Sequence, residues 1–85
     1  MKPAKLLERL LAGYLVNVAF ADLVRLVESL GFELLRVSGS HRVYAHPEIA
    51  ELLSLQPHHG DAKPYQMRQL LALVEVYNLR LRGSV

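Results

Sequence analysis

The stretch Gly31-Phe32-Glu33-Leu34-Leu35-Arg36-Val37-Ser38-Gly39-Ser40-His41-Arg42-Val43-Tyr44-Ala45-His46-Pro47 decides how this chain folds. Glycine tolerates the left-handed backbone that ends many helices, so Gly31 marks a helix running straight into a strand. Residues 32–37 read as that strand, Ser38-Gly39 as a two-residue hairpin connection, and residues 40–46 as the returning strand. Pro47 closes it, because proline cannot donate to a sheet ladder. Strand side chains alternate, so Arg42, Tyr44 and His46 share one face and His41, Val43 and Ala45 the other. Which set meets the core is open at this level.

Upstream, Leu6, Leu7, Leu10, Leu11 and Tyr14 recur at helical spacing, which predicts an amphipathic helix over residues 3–13. Pro3 suits its first turn and Gly13 its stop. A second helix is expected over residues 18–30, capped by Asn17, with Leu23, Leu26, Val27 and Leu30 as its apolar stripe. Downstream, residues 47–51 leave two readings, a loop or one helical turn. Leu52–Gln56 reads as a short third strand, and residues 58–63 as a polar loop. Pro64 opens a last helix to about residue 78, with Met67, Leu70, Leu71, Val74 and Tyr77 on its apolar face. The order α-α-β-β-β-α specifies an α+β fold, a three-stranded antiparallel sheet with helices on one face. We expect a single domain over residues 1–85: an added helix to residue 17, a core over 18–78 and a tail over 79–85. The tail alternates with period two, consistent with an edge strand for a partner or with fraying.

Composition bounds the function. With 85 residues, the chain is small and buries only about 60% of its unfolded surface. An apolar fraction of 52% points to a leucine-rich core or to apolar surface kept for a partner. The lack of cysteine excludes disulfides, thiol catalysis and thiolate-bound zinc, and fits a reducing cytoplasm. No apolar run is long enough for a signal peptide or a membrane span. The net charge of +2 is small, so any nucleic-acid contact must rest on a local basic patch.

His41 is the candidate for chemistry. Metal-free RNA cleavage needs a base for the 2′-hydroxyl proton and an acid for the leaving oxygen. Histidine serves either role near neutral pH. Arg36 and Arg42 flank it in sequence, and Gly39-Ser40 can offer backbone N–H groups to a phosphate. The plain alternative is a strand histidine bonded to a neighbour beside an ordinary hairpin turn, the commoner outcome of so short a motif. Ser40 is badly placed as a nucleophile for His41, since adjacent strand residues point to opposite faces. Lys63 and Arg68, at the start of the last helix, form a second candidate phosphate grip, against a background of ordinary helix-surface charge. His46, His58 and His59 match no metal-ligand spacing, so neither metal nor cofactor is expected.

Taken together, Gly31-Phe32-Glu33-Leu34, Arg36, Gly39-Ser40-His41-Arg42-Val43-Tyr44, His46-Pro47, Pro57-His58-His59-Gly60 and Lys63-Pro64 resemble the HicA family of toxins from toxin–antitoxin modules. The resemblance covers roughly residues 18–75. It implies a fold like that of double-stranded-RNA-binding domains and an mRNA interferase activity held in check by a HicB-like antitoxin. The family's catalytic histidine falls on His41, and its loop histidine on His59. Many members carry a lysine or arginine immediately before Gly-Ser-His, where this chain has Ser38. RNA contacts are expected from Arg36, Gly39, Ser40, Arg42, His59, Lys63 and Arg68. A non-catalytic RNA-binding module and a protein-interaction domain are the alternatives, and the first helix is a candidate dimer contact.

Overall fold

The computed structural model describes residues 1–82. Its elements are α1 (Pro3–Leu11), α2 (Phe20–Ser29), β1 (Glu33–Ser38), β2 (His41–His46), β3 (Ile49–Leu55) and α3 (Pro64–Tyr77). The three strands form one antiparallel sheet in the order β1-β2-β3. This is the expected α+β fold in the order α-α-β-β-β-α.

One core holds the elements together. Leu23, Leu26, Val27 and Leu30 of α2 and Met67 and Leu70 of α3 cluster with Tyr44, Leu53 and Leu55 of the sheet. Leu6 and Leu10 of α1 join the same cluster. Burying two leucines contributes roughly 3–6 kcal/mol. The tail also takes part: Leu79 lies in the cluster and Leu81 packs against it. Up to Arg82 it packs back on the core and forms no strand with β1, β2 or β3; residues 83–85 of the expected tail lie outside the described residues.

The α2-to-β1 junction accounts for all four carbonyls that the end of α2 leaves free, a demand every helix terminus makes. Phe32 N–H donates to the Val27 carbonyl at 3.2 Å and Gly31 N–H to that of Glu28 at 3.0 Å. Gly31 has φ 102°, so the pair forms a Schellman ending. Arg82 N–H donates to the Ser29 carbonyl at 2.6 Å. The Leu30 carbonyl lies 3.0 Å from Nε2 of His46. Nδ1 of the same ring accepts the Glu48 N–H at 3.1 Å, which makes Nε2 the protonated nitrogen and donor to Leu30. His46 is buried, with its ring edge-on to Phe32 at 5.0 Å. Both ring nitrogens are thus used in joining a helix end to a strand turn.

Local differences from the sequence reading have local causes. The hairpin loop is Gly39-Ser40, one residue later than expected, and Ser38 pairs with His41. Gly39 has φ 63° and Ser40 no positive φ, as a hairpin turn with glycine in its first central position requires. The third strand begins at Ile49 rather than Leu52, since Pro47-Glu48 alone makes the turn. Of residues 47–51, Pro47 and Glu48 form the turn and residues 49–51 are already strand, so neither a five-residue loop nor a helical turn forms. α2 is capped by Ala19 without a side-chain bond, and Asn17 instead takes a left-handed φ of 57°. The Phe20 N–H, a donor that a cap would have served, goes to the Gly60 carbonyl at 2.9 Å.

Two tests follow from these contacts. His46→Leu keeps the apolar bulk but strands the Leu30 carbonyl and the Glu48 N–H, so it should cost about 2–3 kcal/mol in urea unfolding. A second tie joins α3 to β3, where the Tyr77 hydroxyl donates to Glu51 at 2.5 Å. That hydrogen bond, followed by burial and the carboxylate's charge, raises the Tyr77 pKa above 10.0. A raised pKa means that the tie contributes fully at neutral pH and is lost as pH climbs through the folded value. The stability difference between wild type and Tyr77→Phe should therefore be present near pH 7 and vanish on the alkaline side of that transition.

Candidate functional site

The hairpin sets His41 at the first position of the central strand. Tyr44 is buried in the core, as are its partner Leu53 and, two residues on, Leu55 opposite Arg42. That face of β2 meets the helices. Val43 is also shielded but lies outside the core cluster, so the His41–Val43 set occupies the sheet's open face. Arg36 pairs with Val43, and Ser38 pairs with His41. Arg36 is therefore the diagonal neighbour of His41 on the same face, a separation of about 7–8 Å between backbone positions. Both side chains are exposed.

Arg42 goes the other way. Its guanidinium lies over the Phe20 ring, 5.8 Å from the centroid, at the start of α2. The expected basic contacts thus divide across the sheet: Arg36 beside His41, Arg42 on the helix side. Both remain at the hairpin end of the molecule.

The β3-to-α3 loop is brought to that end by backbone pairing. Ala62 N–H donates to the Val18 carbonyl at 2.8 Å, alongside the Phe20–Gly60 bond. His58 and Asp61 exchange both backbone hydrogen bonds, at 2.9 and 3.0 Å, around His59 and Gly60. His59 has φ 52° and Gly60 φ 82°, positive at both central positions as a tight type I′ turn demands. His59 is thereby displayed at a turn apex, exposed, with its ring edge-on to His58 at 4.5 Å. Gln66, in the first turn of α3, is 1% exposed and donates to the Gln56 carbonyl at 2.9 Å. This fixes the start of α3, with exposed Lys63 and Arg68, next to the end of β3.

The electrostatics are those of unspent positive charge. Arg36, Arg42, Lys63 and Arg68 form no ion pair among the described residues. An exposed end carrying free cations, two displayed histidines and a glycine turn can hold a phosphodiester and move protons beside it. Among the described residues no group of three His, Asp or Glu is arranged to hold a metal ion. No helix is long and apolar enough to cross a membrane. Sequence reasoning missed two features here. The role of His46 as a helix-end donor was invisible without the fold. The buried Gln66 was hidden in a stretch that reads as polar helix surface.

A small three-stranded sheet under three helices, with a displayed histidine and free cations at its hairpin end, defines a compact α+β module. A family model described as the HicA toxin of bacterial toxin-antitoxin matches residues 20–76, which run from the start of α2 nearly to the end of α3. The chain belongs to this family of toxins. No curated protein and no solved structure matches the chain.

Turn geometry also yields a test for His59. A β-branched residue at φ 52° is strained by about 1–2 kcal/mol, whereas glycine or asparagine is not. His59→Val should lower the melting temperature, and His59→Asn should leave it unchanged. Any activity lost in His59→Asn then belongs to the imidazole and not to the turn.

Proposed function

We propose that this toxin is a ribonuclease that cleaves mRNA by metal-independent acid–base chemistry centred on His41. The observation that carries the reading is an exposed His41 with Arg36 as its diagonal neighbour on the open sheet face; to these we add His59, Lys63 and Arg68 from the neighbouring β3-to-α3 loop and helix start. In the reaction, a base removes the proton of a ribose 2′-hydroxyl. That oxygen attacks the adjacent phosphorus, the P–O5′ bond breaks, and an acid protonates the departing 5′-oxygen. A 2′,3′-cyclic phosphate and a 5′-hydroxyl result. His41 is assigned one of the two proton transfers, and His59 is the candidate for the other. Arg36 grips on the His41 face, where charge on the phosphate grows, and Arg42 holds the RNA from the helix side of the hairpin. Gly39 and Ser40 approach the backbone closely, and Lys63 and Arg68 position the strand without reading its sequence.

Membership of a toxin–antitoxin family implies an antitoxin partner, and we assign that role to a HicB-like protein acting in the cytoplasm. Leu52 and Leu35 are about half exposed on β3 and β1, apolar surface that a protein cover over His41 would bury.

Positioned proton transfer supplies about 10²–10⁴ in rate. His41→Ala should therefore lower RNA cleavage by at least about two orders of magnitude and relieve growth arrest, with the melting curve unchanged because the side chain is exposed. Wild-type protein that binds RNA but leaves it intact, even when free of antitoxin, would instead make this a non-catalytic RNA-binding toxin.

A further inference from the structure

The chain before residue 20 lies outside the family match, yet it builds a cleft of its own. α1 ends in a Schellman motif: Gly13 N–H donates to the Leu10 carbonyl at 3.0 Å and Tyr14 N–H to that of Arg9 at 3.0 Å. Gly13 has φ 96°, so the chain turns sharply there. The next residues rise past the helix end and leave an open groove of 510 Å³ lined by Arg9, Tyr14, Val16 and Asn17. A smaller recess continues from it to Val18, Ala19 and Asp22.

The groove is lined by aromatic, aliphatic, cationic and amide side chains. Tyr14 is 66% exposed and Val16 69%, two large apolar side chains side by side in water. Arg9 forms no ion pair among the described residues. Asp22 is the acidic residue of the recess, and its carboxylate is engaged by the Met1 ammonium at 3.2 Å. The groove thus presents an aromatic face, an uncompensated guanidinium and an amide. A phenol face stacks a base of any identity, a guanidinium takes a phosphate, and an amide bonds a base edge or ribose.

Continuity identifies the occupant. The wall at Val18 and Ala19 is the same segment that pairs with Gly60, Asp61 and Ala62, directly after His59. The groove therefore adjoins the segment that carries the His59 turn. We infer that the α1 extension forms a nucleotide-binding subsite for single-stranded RNA, with Tyr14 stacking a base and Arg9 holding a flanking phosphate. The inference rests on the ribonuclease reading and extends its substrate contact beyond the family-matched core.

The test uses the full chain carrying His41→Ala, so that RNA is held and not cut. The probe is a single-stranded RNA of about twelve nucleotides, within the usual footprint of such grooves. Adding Tyr14→Ala should weaken binding about tenfold, and Tyr14→Phe should restore it, because the ring and not the hydroxyl stacks. Adding Arg9→Ala should weaken binding and reduce the slope of log affinity against log salt by about 0.7, one phosphate contact on a single strand. Unchanged melting temperatures are expected for these exposed positions. RNA bound equally well by Tyr14→Ala and Arg9→Ala would overturn the subsite while leaving the ribonuclease reading intact. A wild-type chain that neither binds nor cleaves RNA would remove both. Loss of binding to an acidic antitoxin, with RNA affinity untouched, would assign the groove to a protein and overturn the inference.

Discussion

The fold hangs on how the end of α2 disposes of its four free carbonyls. Two are met within the turn by Gly31 and Phe32, one by the tail through Arg82, and one by the His46 ring. An unmet carbonyl in a buried setting costs about as much as a lost core side chain, so the junction constrains everything that converges on it. Glycine is required at its centre. A Cβ at position 31 would come within 2.6 Å of the Arg82 guanidinium and 2.9 Å of His46 Nε2, at a φ of 102° that L side chains rarely adopt. Helix end, strand, the Pro47-Glu48 turn and tail are thereby locked at one point.

That lock frees the opposite end for function. α2 is held at its C-terminus by His46 and at its N-terminus by the Phe20–Gly60 bond. The hairpin tip, Gly39-Ser40, lies exposed at the far end of the sheet. His41 and His46 show the division on a single strand. Both are histidines of β2, yet His46 is buried with both nitrogens occupied, and His41 is exposed on the other face. The isolated bridge between Ala19 and Asp61 extends the same logic, since it ties the His59 turn to the segment before α2 without a covalent staple.

Much of this was legible from residue order. Gly31-Phe32 correctly marked the helix-to-strand change, because only glycine tolerates that backbone. The leucine periodicities correctly marked all three helices, and the hairpin was evident from Gly39. The position of the hairpin loop was misread by one residue, because both Ser38-Gly39 and Gly39-Ser40 are plausible turn pairs and only strand register chooses between them. The start of β3 was missed because Pro47 and Glu48 look like a longer break than they are. Asn17 is a good cap in isolation, but backbone pairing with residues 60–62 took over the Phe20 donor and left a cap unnecessary. The tail alternation of Leu79-Arg80-Leu81-Arg82 suggested a free strand, whereas Leu79 is drawn into the core and Arg82 bonds to Ser29.

By itself, the sequence determined the α-α-β-β-β-α order, the family and the candidate histidine, since these depend on periodicity, turn residues and local motifs that act over a few positions. Only the tertiary structure decided which face of β2 carries His41, that Arg36 shares it and Arg42 does not, and that His46 serves as a structural donor. It alone brought the His59 turn beside the start of α2, through the pairing of residues 18–20 with 60–62. The physical reason is that side-chain facing follows from strand register and from which buried polar groups must be satisfied. Both are set by partners distant in the chain, and no local pattern records them.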